Sequence, residues 1–218
     1  MLISHEREKL LEAVKYFAAN TKYCGLTKLF KLLFFFDFTH FRETGRSVTG
    51  LNYQAWQRGP VPADLYGEIK AGGRDDMTRH LKIAEPTTID VEVSETSRTY
   101  FQDSVNTFGR EDEHRETRRV RVPAHIRALK VFNKKLFTKR ELRLMEEIAF
   151  MYKELKADQI SEVSHLKGRP WHVTKTKSGL KAPIDYMLAL DELREGAPTK
   201  EEILARIEER SEVLDALK

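Results

Sequence analysis

The sequence predicts an α+β fold that is predominantly α-helical: a compact helical domain with a small antiparallel β-sheet or hairpin and a C-terminal helix. Apolar residues recur at helical spacing in several segments, which indicates packed helices. A short alternating run between Leu51 and Arg58 is followed by glycine and proline, which is typical of a strand and a turn. A chain of 218 residues with 40% hydrophobic residues can bury one core, so we expect one domain with appendages.

Two helices are predicted in the first fifth of the chain. The first covers residues 4–19 and has one apolar and one charged face. The second begins at Thr27 or Lys28 and is apolar on most sides, so it should lie in the middle of the domain. Gly45 should end it, because glycine enters the left-handed conformation without a steric penalty.

A strand at residues 51–58 is predicted after a turn at residues 49–50. The GPVP run at residues 59–62 should end this strand, because proline lacks the amide donor of a β-ladder. The next helix should then start at Pro62 and carry Leu65, Tyr66 and Ile69.

The second half of the chain begins with strand signals at residues 88–93 and 120–122. Residues 95–119 are charged and poor in aliphatic side chains, which predicts an exposed insertion. Thr138 and Glu141 have capping-box spacing and should open a helix, which a shorter helix around residues 157–165 follows. The first of these two helices is expected to bury Leu142, Met145, Ile148, Ala149, Tyr152 and Phe150.

The predicted domain organisation has two parts. Residues 1–190 form one domain with a charged insertion at about 95–125, and residues 191–218 form a C-terminal helical arm. Thr199 and Glu202 have capping-box spacing at the start of this arm. Its apolar positions lie among many glutamates, which favours packing on a partner or on a second copy of the chain.

Composition excludes several classes of protein. The single cysteine, Cys24, excludes an internal disulfide and a thiolate metal site. No run approaches the roughly 20 apolar residues of a membrane span, and the charged N-terminus does not resemble a signal peptide. We therefore predict a cytoplasmic protein with no membrane partner. The net charge of +4 does not by itself argue for nucleic acid, although eleven basic residues concentrate between residues 110 and 140.

Motifs for catalysis or cofactors are scarce. The chain has no P-loop, no nucleophile elbow and no zinc-binding pattern, and six of its histidines are scattered. We predict that the protein is not an enzyme and binds no metal or cofactor. Asp37, inside the aromatic helix, needs a basic or amide donor if buried, and Arg46 is the favoured partner.

The predicted strand supplies candidates for a binding surface. Trp56 and Arg58 fall on the face opposite Tyr53, and tryptophan and arginine often anchor protein interfaces. Trp56 either faces solvent or closes the core beneath the GPVP turn. Trp171 is either an interface anchor or a plug for the helix pair, and His165 lies close to it in sequence.

Several motifs follow one another in the first third of the chain: a KLL-aromatic helix with Asp37 after it, the GRSVTG turn at residues 45–50, a strand that leads into GPVP, and a helix with Tyr66. In this ordered set the chain resembles the Panacea domain, a SocA-like antitoxin family formerly described as a domain of unknown function. A second resemblance covers residues 137–171, so that together the blocks span most of residues 10–190. The motif positions assigned a structural role are Asp37, Arg46, Gly50, Gly59, Pro60 and Pro62.

The resemblance implies an antitoxin of bacterial or phage toxin–antitoxin systems that binds a cognate protein toxin. The toxin-binding candidates are Trp56, Arg58, Tyr53, Trp171 and His165. Delivery of the toxin to a protease is a variant of this hypothesis. The alternative is a winged-helix-like DNA-binding regulator built on the helix pair at residues 138–165, although its second helix is acidic. A homo-oligomer is possible under both hypotheses.

Overall fold

The computed structural model describes residues 5–84, 87–93, 116–122, 125–191 and 198–216. Contacts divide the chain into two compact units, one formed by Met1–Ala84 with His125–Lys218 and the other by Glu85–Ala124. The elements in chain order are α1 (Glu6–Asn20), α2 (Leu26–Thr44), β1 (Tyr53–Trp56), β2 (Gly59–Pro62), α3 (Ala63–Lys70), α4 (Asp75–His80), β3 (Leu81–Ala84), β4 (Thr87–Val93), β5 (Glu116–Val122), β6 (His125–Ala128), α5 (Lys139–Met151), α6 (Ala157–Ser164), α7 (Pro170–Ser178) and α8 (Lys200–Ala216). Short 3-10 turns cover Lys134–Leu136 and Tyr186–Asp191. This architecture confirms the predicted α+β, mostly helical fold.

The aromatic helix α2 is the centre of the first unit, as its apolar pattern predicted. It contacts α1, α5, α6, α8 and β2. Leu29, Leu32, Leu33 and Phe36 are fully buried. Gly45 ends the helix in the left-handed conformation with φ 68°, which confirms the predicted stop.

Lys28 is a fully buried cation on α2. Its ammonium donates to the carbonyl oxygens of Lys22 at 2.6 Å, Leu155 at 2.7 Å and Lys153 at 3.0 Å. Burial lowers the pKa of Lys28. Three acceptors match its three N–H groups, so the side chain ties α2 to the segment between α5 and α6.

The strand before the GPVP run ends at Trp56, in line with the prediction, but the GPVP run itself forms a second strand that was not predicted. β2 pairs antiparallel with β1, from Tyr53 opposite Pro62 to Trp56 opposite Gly59. Pro60 and Pro62 are two residues apart, so both missing amide donors fall on the same edge of the strand. That edge faces away from β1, which leaves the ladder between the strands intact. On its other side, β1 exchanges backbone hydrogen bonds with residues 181–184.

Two further antiparallel pairs complete the described strands. In the first unit, β3 pairs with β6 from Leu81 opposite Ala128 to Ala84 opposite His125. In the second unit, β4 pairs antiparallel with β5 from Thr87 opposite Val122 to Val93 opposite Glu116. The predicted strands at residues 88–93 and 120–122 are thereby confirmed. Residues 116–119 of the predicted insertion belong to β5, and residues 95–115 lie outside the described part. The insertion itself stays a prediction.

The capping box at the start of α5 is confirmed. The Thr138 hydroxyl accepts the Glu141 amide, and the Glu141 carboxylate accepts the Thr138 amide. Two side chains differ from the predicted buried face. Phe150 is 85% exposed, whereas Leu144, which was not expected, is buried.

The C-terminal helix α8 packs on the end of α2. Ile203 is buried there, and Arg206 donates to the Glu43 carbonyl at 3.2 Å. Arg210 donates to the carbonyl oxygens of Thr44 at 3.1 Å and Gly45 at 3.3 Å. The last carbonyl groups of a helix have no partner within it, so these arginines satisfy acceptors that α2 leaves open. The boundary of the predicted arm at residue 191 stays a prediction.

Candidate functional site

Asp37 lies fully buried in α2 and organises the loop that leads into β1. Its Oδ1 accepts the backbone amides of Val48 and Thr49, each at 2.9 Å. Its Oδ2 accepts the hydroxyl of Thr49 and, at 2.8 Å, the phenol of Tyr53. Four donors compensate a carboxylate that would be costly to bury without partners. These contacts give Asp37 a structural role.

The expected pairing of Asp37 with Arg46 was wrong. The Arg46 side chain is exposed, and its carbonyl accepts a hydrogen bond from Nδ1 of His40 at 2.6 Å. The turn after α2 brings two backbone amides to the carboxylate instead. Amides supply positive potential without the cost of removing a guanidinium from water.

Tyr53 belongs to the interior and not to a binding surface. Its side chain is 1% exposed, and its ring packs edge to face on Phe34 with centroids 5.3 Å apart. Burial raises the pKa of Tyr53, and the charge of Asp37 raises it further. Burial likewise raises the pKa of the Asp37 carboxyl, while its four hydrogen bonds oppose that shift. The predicted toxin-binding role of Tyr53 is therefore corrected to holding β1 on α2.

Gly59 is required where the β1–β2 hairpin crosses α2 and α6. Its φ is 102°, and a Cβ at this position would lie 2.6 Å from Cε of Lys31 and 2.7 Å from Oγ of Ser164. It would also lie 3.1 Å from Nε2 of His165. Any side chain at residue 59 would therefore meet both strain and collision.

Lys31 supports the hairpin from below, a role that the sequence reasoning missed. It is fully buried, and its ammonium donates to the Pro60 carbonyl at 2.9 Å on the outer edge of β2. Burial lowers the pKa of Lys31 to about 7. One signal in the sequence could have indicated this role: Lys31 is a charged residue in the KLL run of a mostly apolar helix.

Trp171 also holds the hairpin in place. It is 3% exposed, and its indole Nε1 donates to the Trp56 carbonyl at 3.0 Å. The His165 ring stacks on the indole with centroids 3.9 Å apart, and the Lys175 ammonium lies 4.8 Å from the indole centroid. Because Trp171 is almost fully buried, it supports a surface but cannot itself anchor a partner there.

His165 is half-buried, and its Nε2 is a buried nitrogen with no hydrogen-bond partner in the described part of the chain. Burial lowers the pKa of His165, and the charges of Lys31 and Lys175 lower it further. The ring is therefore neutral at pH 7, and stacking holds it.

Trp56, Gln57 and Arg58 form what we call the hairpin tip. Trp56 is half-buried and packs edge to face on Tyr66, with centroids 5.2 Å apart. Its Nε1 donates to Oε1 of Gln54 at 3.1 Å. Arg58 is exposed, and no ion pair holds it among the residues that the structure describes. The structure thus brings four of the five predicted candidates to one place, with Trp56 and Arg58 outside and His165 and Trp171 beneath.

The comparison with protein families gives a match. The family described as antitoxin SocA-like, Panacea domain matches residues 29–172, which is more than half of the chain. The chain belongs to this family. The matched region begins in α2 and ends in α7, so it contains the Asp37 loop, the hairpin tip and Trp171. Neither the curated proteins nor the solved structures give a significant match.

The family description contains the word antitoxin, which suggests a role without catalysis. Within the described residues, no three or more histidine, cysteine, aspartate or glutamate side chains are arranged to hold a metal ion. The described part of the chain also contains no helix that is both long and apolar enough to span a membrane.

The helix pair α5 and α6 of this Panacea domain is a poor candidate for reading DNA. The second helix would have to face phosphates, but it carries Asp158 and Glu162 and no basic residue. Its Ile160, Ser161 and Ser164 are buried against the rest of the unit. The structure adds no observation that favours the regulator hypothesis.

Proposed function

We propose that this protein is the antitoxin of a type II toxin–antitoxin system and that it neutralises a cognate protein toxin by direct binding in the cytoplasm. The family name implies a toxin partner in general. The proposed contact surface is the hairpin tip. Occlusion of a toxin's active site needs no chemistry of the antitoxin's own, only a complementary surface of about 800 Å² on each partner.

The observation that carries this proposal is the contrast between a fixed base and an exposed tip. Lys31 and Trp171 are buried and hydrogen-bond to the hairpin backbone from below, and the half-buried His165 stacks on Trp171. Trp56 and Arg58 stand above them, and these are the residue types that most often carry interface energy. A rigid base reduces the entropy lost when the tip binds a partner.

The test is coexpression with the product of each adjacent reading frame, scored by growth and by copurification. Trp56→Ala and Arg58→Ala should each weaken toxin binding by about 1–3 kcal/mol, which raises Kd about 5- to 150-fold. Lys82→Ala, at an exposed position of β3, is the matched control and should rescue growth like the unaltered protein. Full rescue and unchanged affinity in the Trp56→Ala, Arg58→Ala double variant would exclude this surface.

The salt dependence of binding distinguishes toxin binding from the regulator hypothesis. A protein complex anchored by apolar contacts should lose little affinity between about 0.05 and 0.2 M salt, whereas specific DNA binding should fall steeply over that range. Steeply salt-dependent binding to the operator without any toxin complex would favour the regulator.

A further inference from the structure

A second feature, independent of the hairpin tip, is a cleft of about 620 Å³ in the first unit. Its walls come from the start of α1, from His40 near the end of α2, from the loop at residues 46–48 and from the start of α5. We call it the loop cleft. Its volume lies within the range of about 300–1,000 Å³ that is typical of small-molecule sites.

The walls of the loop cleft carry an excess of positive charge. Lys9 and Glu141 both line it, but they form an ion pair at 2.6 Å and cancel each other. Arg46 and Lys139 are exposed and have no ion pair among the described residues. Arg140 has one acidic neighbour, Glu43, at a long 3.7 Å. Glu6 also lines the cleft, so four basic and two acidic side chains leave an excess of two positive charges. A ligand with two or more negative charges would compensate this excess.

A neutral histidine is fixed among these cations. His40 is 7% exposed, and its Nδ1 lies 2.6 Å from the Arg46 carbonyl. A carbonyl can only accept, so Nδ1 carries the proton and Nε2 remains an acceptor in the neutral ring. Burial lowers the pKa of His40, which keeps the ring neutral at pH 7. The cleft thus combines flexible cations with one preoriented acceptor for a hydroxyl or amino group.

The Panacea motif itself supplies one wall of the loop cleft. The GRSVTG run at residues 45–50 is held by Asp37, which fixes the amides of Val48 and Thr49. Arg46 has no part in that hydrogen-bond network, and its side chain is free of ion pairs in the described chain. A fixed loop that presents an unpaired arginine to a cleft is better suited to ligand binding than to stabilising the fold.

The geometry points to a site for a small molecule of about nucleotide size that carries two or more phosphate groups. Arg46, Lys139 and Arg140 would contact the phosphates, and His40 would accept from a hydroxyl or amino group of the remaining part. This inference does not depend on the proposed toxin binding, because the loop cleft and the hairpin tip have no lining residue in common.

Isothermal titration calorimetry on the purified full chain at about 0.15 M salt tests the inference. The probes are inorganic pyrophosphate, ATP and, as an uncharged comparison, adenosine. We expect pyrophosphate and ATP to bind with Kd below about 100 μM and adenosine at least tenfold more weakly. The double variant Arg46→Gln, Lys139→Gln should weaken ATP binding at least tenfold, because it removes two charged contacts.

The matched control is Lys167→Gln, Lys177→Gln, which removes the same charge at exposed positions that do not line the cleft. It should bind ATP like the unaltered protein. Circular dichroism should show all variants folded, since all four residues are exposed. Absence of binding by pyrophosphate and ATP at about 1 mM, equal binding of adenosine and ATP, or an equal loss in both double variants would each overturn the inference.

Discussion

Replacing Asp37 tests the central link between α2 and the following loop. Asp37→Ala removes the acceptor for the amides of Val48 and Thr49 and for the hydroxyls of Thr49 and Tyr53. A buried donor left without a partner costs about 1–3 kcal/mol. The hydroxyls can rotate toward other acceptors, so the two amides dominate the cost and set it at about 2–6 kcal/mol.

Part of this cost is recovered, because the alanine variant no longer buries a carboxylate. We therefore expect Asp37→Ala to lower the free energy of unfolding by about 3 kcal/mol. Asp37→Asn keeps an oxygen for the two amides and should cost about 1–2 kcal/mol. Tyr53→Phe keeps the ring packing and removes one hydrogen bond, so it should also cost about 1–2 kcal/mol.

Urea denaturation followed by circular dichroism measures these differences. Arg46→Ala distinguishes the hydrogen-bond network of Asp37 from an ion pair between Asp37 and Arg46. Because the structure has no such ion pair, this substitution should change the free energy of unfolding by less than about 0.5 kcal/mol. Glu162→Ala, at an exposed position of α6, controls for the loss of a surface carboxylate. The reasoning fails if Arg46→Ala costs as much as Asp37→Ala, or if Asp37→Asn is as damaging as Asp37→Ala.

Three further predictions concern stability. Gly59→Ala should cost at least about 3 kcal/mol in urea denaturation, against about 1–2 kcal/mol for Gly168→Ala. Both glycines have positive φ, but a Cβ at residue 168 meets no atom within 4 Å, so equal costs would contradict the collision at residue 59. The lowered pKa of Lys31 means that the unfolded chain binds more protons between pH 7 and about 10.4, so stability should rise with pH there. We expect the free energy of unfolding to rise by about 1–2 kcal/mol from pH 7 to pH 8.5. The same rise in Lys31→Met would show that Lys31 does not cause it. Arg206→Ala with Arg210→Ala should speed hydrogen exchange in α8 at least tenfold, whereas unchanged exchange would show that these arginines do not hold the helix.

Local signals in the sequence predicted the helix ends well. The capping box of Thr138 and Glu141 and the stop at Gly45 depend on residues within one turn of each other, so the sequence contains all the groups involved. The wide apolar surface of α2 likewise predicted its central position. These features need no knowledge of what packs against them.

Contacts between distant segments could not be predicted in the same way. The GPVP run is a strand because its two prolines direct their missing donors to the outer edge, which only the pairing with β1 reveals. The partners of Asp37 are backbone amides, and every residue except proline has one, so composition favoured Arg46 instead. For the candidate site, the alternation at residues 51–58 placed Trp56 and Arg58 on the face opposite Tyr53, whereas the burial of Trp171 depended on the tertiary fold.

Three polar residues on α2 explain how one helix positions two separate surfaces. Lys31 binds the Pro60 carbonyl, Asp37 binds the amides before β1, and His40 binds the Arg46 carbonyl. Each of them is buried and contacts the backbone of the segment that follows α2, so each fixes main-chain geometry whatever side chains that segment carries. The exposed residues of the hairpin tip and the loop cleft can therefore change without changing the fold beneath them. The residues that stabilise the fold are therefore not those of the two proposed binding surfaces, so substitutions at these surfaces should change binding without unfolding the domain.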